Sequence, residues 1–265
     1  MSKVISIAIP KGGVGKTTTA VNLAACLAAA EKRTLLIDMD PAGSCAVSLG
    51  IENENINGDI FDVLNFQKSI PQVIQKTELT NLDFVPSKII NYQDEERLTR
   101  IANNVNLLNN IIQQQLNTYK FIVIDTPPYL RGSTSLALAA SNSVIIPIKS
   151  GNYSLIALKK MINYILWIRN NHNVGLKIEG IVHTMYEANT KVSAITDNIL
   201  YKKFGKYVFN TFIPKNSAIP ESTYYGKPVV LYDAKSKGAD SYLRLSQEII
   251  MRNKPCPILS IYPAL

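Results

Sequence analysis

Residues 9–18 read IPKGGVGKTT: Ile9-Pro10-Lys11-Gly12-Gly13-Val14-Gly15-Lys16-Thr17-Thr18. A phosphate-binding loop written G-x-x-x-x-G-K-[ST] calls for glycine at position 10, where this chain has Pro10 followed at once by Lys11. The rest of the pattern is intact. Gly12, Gly13 and Gly15 permit positive φ and close backbone approach, so successive N–H groups can turn inward on phosphate oxygens. Lys16 then reaches the outer phosphates, Thr17 offers a hydroxyl to Mg²⁺, and a helix beginning there aims its positive end at the anion. A glycine-rich turn without a nucleotide is the competing reading, which the rest of the chain has to decide.

Outward from the loop, residues 4–9 are a short apolar, β-branched run and residues 17–30 an Ala/Leu-rich helical stretch, so the order is strand, loop, helix. The alternation recurs. Apolar runs at 34–37, 82–85, 121–124, 143–148 and 178–184 read as strands, and the segments 92–117, 155–170 and 192–204 are long enough for helices. Strands almost continuous in Val, Ile and Leu predict an α/β fold: a doubly wound, mostly parallel sheet with helices on both faces, of the P-loop NTPase type. Ligands in such sheets sit beyond the carboxyl ends of the strands. No low-complexity linker divides the 265 residues, so a single domain is expected over 1–251, with a tail at 252–265.

Charged groups close three of the strands: Lys11 and Lys16 follow the first, Asp38 and Asp40 the second, and Asp125 the run 121–124. One such charge reads as a solvated strand end; three point to one polar site. Asp125 stands where a Walker B carboxylate would hold Mg²⁺ through water. Asp38 is assigned to the Mg²⁺ shell and Asp40 to orienting or deprotonating the attacking water. The alternative is that one of the pair merely caps a loop.

Charged residues make up 18% and hydrophobic residues 46%, which excludes a disordered chain. No apolar run reaches the roughly 18 to 20 residues of a membrane span, and the N-terminus lacks a secretion-signal layout, so a cytoplasmic location is expected. Cys26, Cys45 and Cys256 form no C-x-x-C pair and indicate neither a metal knuckle nor a disulfide framework. Cys26, in an Ala-rich helical pattern, reads as a small core residue, and the lone His172 and His183 read as structural or surface residues. The formal net charge of +8 favours an acidic partner such as nucleic acid or anionic lipid. The Asn/Gln-rich stretch 103–117 reads as a solvated helix.

Four blocks in order, KGGVGKTT (11–18), DMDP (38–41), FIVIDTPP (121–128) and YYGKPVVLYDAKSKGADSYLRL (224–245), resemble the ParA/Soj branch of the deviant Walker A ATPases, over about residues 3–248. Beginning directly at the first strand, the chain is similar to the short members without an N-terminal helix-turn-helix domain. The resemblance implies ATP and Mg²⁺ as cofactors and an ATP-dependent homodimer in which Lys11 crosses the interface to the phosphates held by the facing subunit. Lys11, Lys16 and Asp40 would then be catalytic. The nucleotide would lie on Lys11, Gly12, Gly13, Val14, Gly15, Lys16, Thr17 and Thr18, with Pro214 and Asn216 of IPKN (213–216) at the adenine, and Thr17, Asp38 and Asp125 would serve the metal. It also implies a cycle. ATP-bound dimers bind DNA without sequence preference, a ParB-like partner with a basic N-terminal peptide stimulates hydrolysis, the ADP form lets go, and plasmid or chromosome cargo is segregated or positioned. Stimulation by a cation of the arginine-finger kind means slow turnover alone.

The chain departs from the family pattern twice. Many relatives read DxDPQGN where this chain has DMDPAGS, so Ala42 and Ser44 replace glutamine and asparagine while Asp40 is kept. Relatives also carry nucleoid-contacting arginines after the sixth strand, here residues 186–191 (YEANTK), and where this chain has Ala218. Lys191, Lys202, Lys203, Lys206 and Lys215 are near in sequence and are the candidate replacements, with an ordinary solvated face as the alternative. In the tail, Pro255, Pro257 and Pro263 interrupt any amphipathic membrane helix. A packed strap, a partner-binding segment and an inert tail remain open there. The leading reading is a DNA-dependent partition ATPase, cytoplasmic with the nucleoid as its surface. Its nearest rival is a positioning factor for a protein assembly that does not use nucleoid DNA. A metabolic P-loop enzyme such as an amidoligase is opposed by Lys11 and the GKP block, and a nitrogenase-iron-protein type of reductase by the lack of a suitable cluster cysteine.

Overall fold

The computed structural model describes residues 2–88 and 101–254. Its centre is a seven-stranded sheet in the order β3-β4-β2-β5-β1-β6-β7. The strands are β1 Lys3–Ile7, β2 Thr34–Asp38, β3 Gln75–Lys76, β4 Leu82–Val85, β5 Phe121–Asp125, β6 Ser143–Ile148 and β7 Lys177–His183. All neighbours pair in parallel except the two-residue β3, which runs antiparallel along β4. That edge strand has no apolar run of its own, which is why sequence patterning passes over it. It makes β7 the seventh strand where the sequence suggests the sixth.

Period-two alternation along each strand divides the core into two faces. Ile5, Ile7, Leu36, Phe84, Val123, Ile145 and Val182 point to one face, where they pack against α1 (Lys16–Ala29) and the C-terminal helix. Val4, Leu35, Ile37, Ile122 and Ile124 point to the other. There they meet α3 (Ile60–Leu64), α4 (Ile70–Val73), α5 (Leu107–Gln115) and α6 (Ser133–Ala140). Further along this second face, Val144, Ile146 and Ile181 pack on α7 (Asn152–Asn171) and α8 (Lys191–Phe204). The short α2 (Ser44–Ser48), α9 (Ala218–Tyr224) and α10 (Val229–Tyr232) lie beside α1, and α11 (Lys237–Arg252) closes the chain.

Element boundaries shift where side-chain chemistry competes with pattern. β1 stops at Ile7, because Ile9 and Pro10 already belong to the turn in which the Lys11 N–H donates to the Ile9 carbonyl. Of the expected helix 92–117, the part through 100 lies outside the described residues, and the described part is Leu107–Gln115. Its Leu107, Leu108, Ile111 and Ile112 are buried, so the Asn/Gln-rich stretch is one amphipathic helix. Of the 252–265 tail, only Arg252 to Lys254 is described. Among the described residues no helix is long and apolar enough to cross a membrane.

The C-terminal block is fastened to the first half of the sheet by backbone. The Val229 N–H donates to Asn22 Oδ1 at 2.7 Å. Gly50 (φ 67°) and Gly226 (φ 63°) pass so closely that a Cβ on Gly226 would lie 2.6 Å from the Gly50 Cα. Both demands exclude a side chain. Gly226→Ala is expected to lower stability by about 2–4 kcal/mol, whereas Lys227→Ala, which removes only a surface pair with Glu78, stays within about 0.5 kcal/mol. Urea unfolding midpoints of the two variants decide this.

Candidate functional site

The carboxyl ends of β1, β2 and β5 meet at one point. Asp38 and Asp125 are register partners across β2 and β5, and Ile7 pairs with Asp125 across β1 and β5. Because Leu36 and Val123 face α1, alternation puts both carboxylates on that same face, and both are fully buried. The polypeptide between β1 and α1 folds over them. Gly13 (φ 67°) and Gly15 (φ 80°) take the left-handed conformation that a side chain disfavours. Gly12 does not use that freedom, and its part is open space, with nothing within 4 Å of a Cβ built on it. Gly15 is the N-cap of α1, which has no side-chain cap and no acidic residue in its first turn. Its leading N–H groups and positive dipole end therefore face the loop, as an anion site requires.

Lys16 is 7% exposed and donates from Nζ to the Lys11 carbonyl at 3.0 Å. Burial lowers its pKa, while Asp125 and Asp40 pull it back up. Thr17 donates its hydroxyl to Asp125 Oδ2 at 2.6 Å, and Asp125 Oδ1, also buried, has no hydrogen-bond partner among the described residues. Asp38 accepts from the N–H groups of Asp40 (2.9 Å) and Cys45 (3.1 Å). Asp40, at the half-buried rim, accepts from the Ala42 N–H at 3.0 Å and shapes the turn that leads into α2. Lys11 is half-buried, its ammonium 5.8 Å from the centre of the Tyr153 ring. Val14 is buried, and its carbonyl accepts from Thr184 at the end of β7.

Beside the loop lies a cavity of about 410 Å³ that includes Gly15, Thr18, Met185, Pro214, Asn216 and Tyr242 in its lining. Pro214 and Asn216, distant in sequence, thus join the glycine loop. Asn216 Oδ1 is buried without a partner among the described residues, an acceptor whose hydrogen bond is unmade. A mostly apolar cleft with one unsatisfied acceptor, continuous with an uncapped helix N-terminus, fits a purine nucleotide; the unpartnered Asp125 oxygen beside Thr17 fits a hard cation.

The lysines nominated for DNA do not converge. Lys191 opens α8 while Lys202 and Lys203 sit in its last turn, about 17 Å further along the axis. Lys215 pairs with Glu187 at 3.1 Å, which neutralises part of its charge. Ala218 is 6% exposed and packs in the core, so in this chain it is no surface position. His183 lies buried 3.1 Å from Asp197, which also accepts from the Tyr186 hydroxyl at 2.6 Å. Neither His183 ring nitrogen has a hydrogen-bond partner among the described residues, so the Tyr186–Asp197 bond makes the polar link here and the imidazole packs edge-on against Tyr186. Sequence reasoning missed Cys45, whose Sγ donates to Asp125 Oδ2 at 3.6 Å, because a single cysteine carries no spacing signal. It also missed Met185 and Tyr242 as cavity wall, the latter sitting in the quoted C-terminal block without any mark of that role.

Comparison with known proteins places this geometry. The model of a family described as "AAA domain" matches residues 2–178. The chain is 39% identical to the chromosome partitioning protein ParA of Myxococcus xanthus (strain DK1622), over 96% of this chain and 90% of that one. It is 38% identical to the sporulation initiation inhibitor protein Soj of Bacillus subtilis (strain 168), over 94% and 98%. Among solved structures, cobyrinic acid a,c-diamide synthase of Mycobacterium smegmatis superposes with a TM-score of 0.81 at 24% identity, covering 95% of this chain and 96% of that one, a likeness of fold alone.

The carboxylate pair gives the site a pH signature. Burial, and after it the charge of Asp125, holds Asp38 well above the usual carboxylate range. Burial pushes Asp125 up to about 7 against the hydroxyl of Thr17. A carboxyl with a raised folded-state pKa binds its proton in the native state where the unfolded chain has lost it, so stability falls as pH rises between about 4 and 7. In metal-free and nucleotide-free buffer, unfolding free energy is expected to rise from pH 7 to pH 5, by at most about 1.4 kcal/mol per unit for each such group. Asp125→Asn should flatten that slope; an unchanged slope in denaturant titrations refutes the assignment.

Proposed function

The chain belongs to the ParA/Soj family of P-loop ATPases, and from that premise we propose that it is an ATP-driven, dimerising switch that segregates or positions DNA cargo. The observation that carries the reading is the glycine loop and uncapped α1 N-terminus set over the paired carboxylates Asp38 and Asp125. Loop N–H groups and Lys16 hold the phosphates, Thr18, Pro214 and Asn216 flank the base, and Thr17, Asp38 and Asp125 hold Mg²⁺, directly or through water. Mg²⁺, when bound, neutralises charge on the outer phosphates. Asp40, on the rim next to Lys16, orients the attacking water or takes its proton. Lys11, whose ammonium lies over the Tyr153 ring, serves the nucleotide of a facing subunit, so that dimerisation follows ATP binding. The domain runs over 1–251, and a ParB-like protein is the activating partner.

The chain's positive charge supports a DNA output, and α8 with its exposed Lys191, Lys202 and Lys203 is the surface proposed for it. One observation favours a second reading, a positioning factor for a protein assembly that needs no nucleoid: the candidate lysines are dispersed and Lys215 is paired.

Two measurements test the proposal. Asp40→Ala is expected to bind ATP and to lose turnover; unchanged hydrolysis removes Asp40 from the mechanism. DNA binding titrated against salt, with ATP and with ADP, should appear only with ATP and weaken steeply as salt rises. Lys202→Ala with Lys203→Ala should reduce the magnitude of the log–log slope by roughly 2. No ATP-dependent binding at low salt turns the choice to the second reading.

A further inference from the structure

Cys45 plays no part in the functional reading, yet it lies against two fully buried carboxylates. An oxygen of Asp38, the Sγ of Cys45 and an oxygen of Asp125 all lie within 4.8 Å of one another, and the three residues are fully buried. The arrangement is held from the backbone, since the Cys45 N–H at the start of α2 donates to Asp38 Oδ2 at 3.1 Å. The Sγ stands 3.6 Å from Asp125 Oδ2. A tetrahedral zinc with one sulfur at about 2.3 Å and one oxygen at about 2.0 Å has an S···O edge of about 3.5 Å, so this pair needs almost no movement to share an ion. Independently of the thiol, Asp125 Oδ1 is buried with no partner among the described residues, a lone pair left for a ligand.

We propose that Asp38, Cys45 and Asp125 form a site for a thiophilic divalent cation, of which Zn²⁺ is the type, that loads without nucleotide. Three protein donors with the fourth position left to water is the composition of an open zinc site. Mg²⁺ takes oxygen donors and keeps several of its waters; a thiolate adds nothing for it but favours zinc and its congeners strongly. Burial and the neighbouring carboxylates keep the thiol protonated in the metal-free protein. A dication reverses that local field, and binding transfers the thiol proton to solvent. Because it claims the carboxylates proposed for Mg²⁺, the zinc-loaded protein is excluded from productive Mg²⁺–ATP binding. The site thereby makes this ATPase sensitive to thiophilic metal, whatever cargo it serves.

The test uses the full-length, reduced, chelator-stripped protein without nucleotide, titrated with Co²⁺ as a coloured substitute for Zn²⁺. A thiolate-to-cobalt charge-transfer band is expected, saturating at one ion per chain, bleached by Zn²⁺ and untouched by a large excess of Mg²⁺. It should vanish in Cys45→Ala and Cys45→Ser and persist in Cys26→Ser and Cys256→Ser. No band in the unsubstituted protein, a band surviving in Cys45→Ala, or one lost in Cys256→Ser overturns the proposal. Should the Cys45 variants fail to fold, cadmium NMR of the unsubstituted protein decides: a shift for one thiolate among oxygen donors supports the site, an all-oxygen shift refutes it. Mg²⁺–ATP binding to the stripped protein, measured in parallel, keeps failure of this site distinct from failure of the nucleotide assignment.

Discussion

Two carboxylates held side by side in the dark of the sheet are the constraint around which the molecule is arranged. Asp38 and Asp125 are register partners, both fully buried, and burial is the largest of the effects that together leave Asp125 raised to about 7. Such a pair destabilises the fold near neutral pH unless something nearby rewards ionisation. The rewards are the Thr17 hydroxyl, the N–H groups of Asp40 and Cys45, the ammonium of Lys16 and, in the proposed cycle, a divalent cation. The loop geometry follows from the same need. Gly13 and Gly15 let α1 begin with its N–H groups bare, and the anion those groups call for brings the cation that the carboxylates call for.

Much of this was legible in the chain because it is local or periodic. The run 121–124 closing on Asp125, the glycines before Lys16 and the alternation of apolar runs each report a strand end or a helix start within a few residues. What was illegible depends on contacts that sequence does not order. Cys45 reaches Asp125 across 80 positions, and Tyr242 reaches Thr19 across 223, so no spacing rule reveals either. The edge strand β3 is two residues of polar sequence fixed by its neighbour β4, and Gly12 keeps an ordinary φ although its type permits another. Ala218, where the family pattern has an arginine, is here a core residue, which the sequence does not reveal.

The output surface is less determined than the nucleotide site for a physical reason. Catalytic groups must meet within hydrogen-bond reach, so their positions are over-specified, whereas non-specific polyanion binding needs only enough positive charge on one face. The lysines of α8 are exposed and separated, and one neighbouring cation is already paired with Glu187. The overall identity of 38–39% to ParA and Soj relatives bears on the fold and the family and leaves the charge of that face unspecified.

The contact between Gly50 and Gly226 bears on how the molecule can move. Where side chains meet, a rotamer change absorbs a small displacement at low cost. Where two backbones touch with no side chain between them, nothing can rotate to make room. The loop that follows α2, the helix whose Cys45 N–H donates to Asp38, and the block entering α10 are therefore locked like two gear teeth in mesh. Any shift of the loop after α2 is handed on without slack to the block entering α10.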